Sequence, residues 1–248
     1  MTLKDFFVEH PKAALALSGG VDSAYLLYSA VQAGAKVRAY YVKSAFQPQF
    51  ELEDAIRLAE QLGADMKILP VDALCSEMVV KNPKDRCYYC KQGIFGSIIK
   101  AAAADGFREI MDGTNASDDS GDRPGMRALQ EMQVLSPLRL CGLTKDIIRE
   151  KSREAGLFTW DKPAYACLAT RIPTGEPITE EKLQRTELAE GYLFSQGFRD
   201  FRVRSQGNSA RLQLRQEDLQ LLIDRREEIL TTLRKSYDSV VLDLEVRK

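Results

Sequence analysis

The chain has 248 residues, 44% of them hydrophobic, with 35 Lys and Arg against 36 Asp and Glu. That length allows one large domain or a medium and a small one, and the near-zero net charge argues against a protein that lives by gripping nucleic acid. No apolar run approaches the ~20 residues of a membrane span, and MTLKDFFVEHPK lacks the long apolar core of a secretion signal, so the expectation is a cytoplasmic protein.

In chain order, AALALS (13–18) reads as a buried strand and 22–33 as a helix. KVRAYYV (36–42) is β-branched and aromatic, a second strand. Residues 50–62 place Leu52, Ala55, Ile56, Ala59 and Leu62 at helical spacing, and Gly63 ends them. DMKILPV (65–71) is the next strand, 91–104 a helix, REIMDG (108–113) a strand and VLSPL (134–138) a short one. A helix over 144–155 follows, with Thr144 as its N-cap. Such alternation predicts an α/β fold, a parallel sheet with helices on both faces.

The loop DKPAYACLATRIPTGEP (161–177) then interrupts, and the pattern changes. A helix starts at Thr179, with Lys182 where a capping box would carry Glu. FRVRS (201–205) and ARLQL (210–214) alternate like a hairpin around Gly207-Asn208. Residues 217–234 form an amphipathic helix and SVVLDLEV (239–246) a closing strand. The expected organisation is an N-terminal domain over 1–168 and a smaller α+β C-terminal domain over 176–248.

In LALSGGVDSA (15–24) a buried strand runs into two glycines, and a helix begins near Asp22-Ser23. Glycines permit a sharp turn with exposed N–H groups, and a helix N-terminus adds partial positive charge. Together these suit a phosphate. Neither GxxxxGK[ST] nor GxGxxG is present. The plainer reading, a tight turn capped by Asp or Ser, would win for a bare Gly-Gly pair.

Five cysteines, an odd number, argue against a disulfide framework. Cys75 and Cys141 stand alone and read as small buried hydrophobes. Cys87 and Cys90 form C-x-x-C, a spacing at which two thiolates meet one metal or cluster. Cys167 lies in the proline-bounded loop. Three thiolates suit a centre with one open position, such as a [4Fe–4S] cluster with one free iron. A redox pair is the rival, without thioredoxin-like context. The single histidine, His10, stands in the N-terminal segment, so histidine-based catalysis is not expected.

SGGVDS resembles the PP-loop of the ATP pyrophosphatases, enzymes of the adenine nucleotide alpha hydrolase-like fold that cleave ATP between its α and β phosphates. The resemblance implies that Ser18, Gly19, Gly20, Asp22 and Ser23 hold the leaving pyrophosphate, with Asp22 near Mg2+. Ser44 falls where such folds seat adenine, or is an ordinary loop serine. DGTNASDDSGDRPGMRAL (112–129), WDKPAYACLATRIPTG (160–175) and FRVRSQGNSARLQL (201–214) narrow the resemblance to the LarE family, ATP-dependent sulfur transferases of nickel-pincer cofactor biosynthesis.

That family implies adenylation of a carboxylate of pyridinium-3,5-biscarboxylic acid mononucleotide and insertion of sulfur to give a thiocarboxylic acid. Two sulfur routes are known in it: a sacrificial loop cysteine, or a [4Fe–4S] cluster on three cysteines. The C-x-x-C pair and the cysteine placement in the loop favour the cluster, with Cys87, Cys90 and Cys167 as ligands; sacrifice of Cys167 is the alternative. Arg202 and Arg204, two apart on a strand, share a face and suit a substrate phosphate. A solvated charged edge is the plainer reading. Glu190 matches an acidic position near the substrate or a metal, though unaided it reads as a helix-surface glutamate. Arg123 and Arg171 would meet phosphate, or stabilise turns. Asp112, Thr114 and Asn115 end a strand where α/β sheets bind ligands, and Trp160 flanks the ligand or packs.

The expected cofactors are ATP, Mg2+ and the cluster. The expected partners are a nucleotide-like small molecule and an unidentified sulfur donor, with no membrane and no nucleic acid, in the homo-oligomer habitual for the family. Competing readings are a PP-loop tRNA thiolase, an amide-forming synthetase of the NAD or GMP type, and a non-enzymatic nucleotide sensor.

Overall fold

A continuous apolar run, with successive side chains on opposite faces, is what buries a strand between two helical layers. The computed structural model describes residues 1–118 and 124–247. In chain order its elements begin with α1 (Leu3–Glu9), β1 (Lys12–Ala16), α2 (Val21–Gln32), β2 (Lys36–Lys43), α3 (Gln49–Leu62) and β3 (Asp65–Pro70). They continue with α4 (Glu77–Val80), α5 (Arg86–Ala104), β4 (Ile110–Met111), α6 (Pro124–Glu131), α7 (Pro137–Leu140) and α8 (Lys145–Glu154). The last are α9 (Glu180–Ser195), β5 (Arg202–Gln206), β6 (Ser209–Gln213), α10 (Leu219–Asp224), α11 (Arg226–Leu233) and β7 (Ser239–Leu242).

These elements divide between two units. The first comprises 1–73 and 85–165, the second 74–84 and 166–248. The first carries a parallel sheet in the order β3-β2-β1-β4. Ala13, Leu15 and Leu17 of the first strand segment, with Ala39 and Tyr41 of β2, face α1, α2, α3 and α8 through Phe6, Leu26, Leu27, Leu58 and Ile148. Ala14, Tyr40 and Val42 face the opposite layer, where α5 and α6 supply Phe95, Ile98, Ala102 and Leu129. The expected α/β architecture is therefore present, with helices on both faces. β1 is central, and its neighbours β2 and β4 lie on opposite sides of it. The chain leaving β1 thus enters α2 at the topological switch of the sheet, where open α/β sheets bind ligands.

Several expected elements differ, and the closing strand expected over 239–246 ends at Leu242. Residues 134–138 form no strand: Leu135 makes one bridge to Met111, and Pro137, without an N–H, opens the short helix α7. The expected strand over 108–113 shrinks to β4. The expected single helix over 217–234 breaks at Arg225 into α10 and α11, whose Leu222, Ile229 and Leu233 all reach one core.

In the second unit, β5 and β6 pair antiparallel and β6 and β7 parallel. α9 covers them with Ala189 and Leu193 against Val203, Ala210 and Leu212. Residues 74–84 belong here because the Asn82 amide donates to the carbonyls of Pro173, Glu176 and Ile172 at 2.8, 3.2 and 3.3 Å. The Asn82 carbonyl also accepts from Gly175 N–H at 2.8 Å. Among the described residues, no helix is long and apolar enough to cross a membrane.

Candidate active site

The turn between β1 and α2 is built as the sequence suggests. Gly19 adopts φ +76°, a left-handed value suited to glycine, and a Cβ there would lie 2.8 Å from the Glu51 carbonyl oxygen. Gly20 is the N-cap of α2 and brings no side chain to its free N–H groups. Ser23 Oγ accepts from Ser18 N–H at 3.2 Å, lies 3.0 Å from Ser18 Oγ, and donates to the Gly20 carbonyl at 3.2 Å. The two serines thus brace the turn from inside, leaving the N–H groups at the start of α2 to meet an anion.

Asp22, in the first turn of α2, is held on both oxygens. Asn115 Nδ2 donates to Oδ1 at 3.3 Å, and Lys145 Nζ pairs with Oδ2 at 2.5 Å. Behind it, Asp112, Thr114 and Asn115 are buried and joined to one another and to their surroundings. Thr114 Oγ1 and Ser136 Oγ donate to Asp112 at 2.5 and 2.8 Å. These side chains form the scaffold of Asp22. Gly113 between them is obligatory on steric grounds: a Cβ would sit 2.8 Å from Ser23 N and 3.1 Å from its Cα. Ser44 is buried in a turn, donating to Gln47 Oε1 at 2.7 Å and accepting from Phe46 N–H at 3.1 Å. Trp160 is exposed, with the Arg153 guanidinium over its ring at 5.9 Å.

Sequence reasoning missed two lysines. Lys145 opens α8, where a cation opposes the helix dipole; that misplaced charge was the available signal. Lys162 Nζ donates to the Gly19 carbonyl at 3.1 Å and pairs with Asp54 at 2.6 Å. Nothing in its local sequence marks it beyond the loop it occupies.

Cys87 and Cys90 lie together in the first turns of α5, which starts five residues before its expected beginning and so takes in both. At i and i+3 they share one helix face. Cys87 is exposed and Cys90 half-buried, neither is in a disulfide, and Arg86 Nη2 is 3.8 Å from Cys87 Sγ. Two cysteines on one helix face fit metal or cluster ligation. Cys167, half-buried and in no disulfide, belongs to the second unit. Among the described residues, no three His, Cys, Asp or Glu side chains are gathered as a metal site. Cys75 is exposed, against the expectation of a buried hydrophobe. Cys141 is half-buried, and burial pushes its thiol up.

The second unit holds a cluster of arginines. Arg171 and Glu190 are buried and joined twice, Nε to Oε1 at 2.8 Å and Nη2 to Oε2 at 3.0 Å. Glu190 also accepts from Val203 N–H at 2.9 Å, so the helix-surface reading of this glutamate is overturned. Arg202 is buried and Arg204 half-buried, which overturns the solvated edge. Arg204 donates to Gln213 Oε1 at 2.8 Å and to the Thr170 carbonyl at 2.6 Å, both neutral acceptors. Burial, then the nearby Arg171 and Arg247, bring Arg202 down to about 10 and lower Arg204 as well. Clustered, desolvated positive charge of this kind is relieved by a bound anion. Arg123 lies outside the described residues.

Residues 12–82 match the family model of queuosine biosynthesis protein QueC. An uncharacterized protein of Synechocystis sp. is 37% identical over 98% of this chain and 92% of its own. Pyridinium-3,5-bisthiocarboxylic acid mononucleotide synthase of Lactiplantibacillus plantarum is 32% identical over 94% of this chain and 86% of its own. A tRNA-specific 2-thiouridylase MnmA of Thermotoga sp. is 26% identical over 75% of this chain and 63% of its own.

Proposed function

The chain belongs to the LarE family of PP-loop sulfur transferases, and from that premise we propose that it adenylates a carboxylate of pyridinium-3,5-biscarboxylic acid mononucleotide and replaces its oxygen with sulfur. The observation that carries this reading is the braced turn at 18–23 with Asp22 and Lys145 at its mouth. The N–H groups opening α2 receive the β and γ phosphates of ATP. Asp22 is the turn's carboxylate, and one carboxylate plus phosphate oxygens is an ordinary Mg2+ setting. Lys145, paired with Asp22, would be within reach of the phosphates once Mg2+ took up the carboxylate. A substrate carboxylate needs no base: its oxygen attacks the α-phosphorus, the α–β bridge breaks, and pyrophosphate leaves into the cradle.

In the second unit, Arg202 and Arg204 hold the substrate phosphate, backed by the Arg171–Glu190 pair. A [4Fe–4S] cluster on Cys87, Cys90 and Cys167 would supply the sulfur nucleophile at its open iron. The reaction takes place in the cytoplasm, in a homo-oligomer, with sulfur reloaded from a separate donor.

The test is anaerobic purification with iron and sulfide assays, followed by incubation with ATP, Mg2+ and the biscarboxylate. Expected are AMP, pyrophosphate and a product heavier by one oxygen-for-sulfur exchange. Cys87→Ala should keep AMP release and lose both iron and turnover; repeated sulfur transfer by that variant refutes the cluster. A single turnover ending with dehydroalanine at 167 would mean sacrifice of Cys167. The similarity to MnmA favours a second reading, tRNA thiolation, which salt-dependent tRNA binding would support.

A further inference from the structure

We infer that Lys162 is a positioning residue that aims the anion-binding turn, an inference resting on the adenylation reading above. The peptide joining Gly19 and Gly20 lies between the two residues of lowest rotational restraint, so its plane needs an outside hold. A trans peptide sends its C=O and its N–H in opposite directions. Fixing the Gly19 oxygen therefore aims the Gly20 N–H. Lys162 supplies that fix, donating to the Gly19 oxygen at 3.1 Å. On the far side, Gly20 N–H lies 3.4 Å from the exposed Ser18 Oγ, a long contact that an anionic oxygen can replace.

The lysine is itself firmly placed. Its ammonium pairs with Asp54 at 2.6 Å and lies 5.3 Å from the centroid of the Phe50 ring. Its carbonyl accepts from Arg149 Nη2 at 2.8 Å, and Arg149 Nη1 donates to the Trp160 carbonyl at 2.6 Å. The Tyr165 ring meets Phe50 edge-on at 4.9 Å. A carboxylate and a carbonyl thus occupy two of the ammonium's three donors.

The experiment uses the full chain and isothermal titration with inorganic pyrophosphate and Mg2+, and separately with ATP. Lys162→Met should raise the pyrophosphate Kd and the KM for ATP by about tenfold or more, at temperatures where the variant is fully folded. Lys162→Arg should recover most of the loss, since it still donates to a carbonyl and pairs with Asp54. Asp54→Asn removes the carboxylate that anchors the ammonium beside the Gly19 oxygen and should weaken pyrophosphate binding. A folded Lys162→Met that binds pyrophosphate like the unaltered protein overturns the inference. If Lys162→Met does not fold, unchanged binding by Asp54→Asn overturns it. An unaltered protein that binds neither ATP nor pyrophosphate overturns the adenylation reading and this inference with it. Normal binding there and in both variants sinks the role of Lys162 alone.

Discussion

Asp22 has an amide on one oxygen and an ammonium on the other. Asp22→Asn should lower AMP release by about a hundredfold or more. Its melting temperature should barely move, because a half-exposed ion pair is worth about 0–1 kcal/mol. Lys145→Met should raise the KM for ATP with equally little effect on melting. Glu190 is the opposite case. Removing one partner of a buried pair leaves a stranded charge, so Glu190→Ala should cost about 3–5 kcal/mol in denaturant unfolding. Replacing both members, as Arg171→Met with Glu190→Leu, should restore much of that stability without restoring sulfur transfer. Restored transfer would mean that the pair is only structural. The sequence distinguished these residues unevenly. Asp22 is fixed by its place after two glycines. Glu190 shares α9 with Glu180, Glu181 and Glu187, and its buried contacts with Arg171 and Val203, which the sequence does not show, set it apart.

Among elements, the junction after β4 is the most constrained. β4 keeps only two residues because the chain must pass Gly113 against the start of α2. Gly113→Ala should push α2 away, costing about 1–3 kcal/mol and abolishing pyrophosphate binding. Gly93, in α5, has nothing within 4 Å of an added Cβ. Gly93→Ala should instead stabilise by about 0.5–1 kcal/mol. Thermal unfolding and pyrophosphate titration of the two variants check both statements. Strands and helices with clean periodicity, such as β2 and α3, were legible within a residue or two. Residues 134–138 were not: an apolar run beside Pro137 satisfies a strand pattern locally, but a single bridge is all that the sheet edge accepts. α5 begins at Arg86 without a side-chain cap from Asp85, a start obscured by the polar run before Cys87.

At the scale of the whole molecule, the parallel sheet followed from alternation alone, since few other folds bury successive apolar strands joined by helices. The near-neutral charge leads to an expected outcome of its own: tRNA should not be retained at physiological salt in a filter-binding assay, where non-specific contacts alone are weak. Residues 74–84 were unreadable in this respect, because nothing in them points to carbonyls some ninety residues downstream. A fragment spanning 166–248 should therefore melt without cooperativity, and joining 74–84 to it by a flexible linker should restore a sharp circular-dichroism transition.

That interleaving also governs how the chain is made. On the ribosome, 74–84 emerges long before its partners at 172–176, and Asn82 must wait, unpaired, while some ninety further residues are synthesised. Birth order and assembly order thus differ, and a segment translated some ninety residues later completes a contact that the first half has held open.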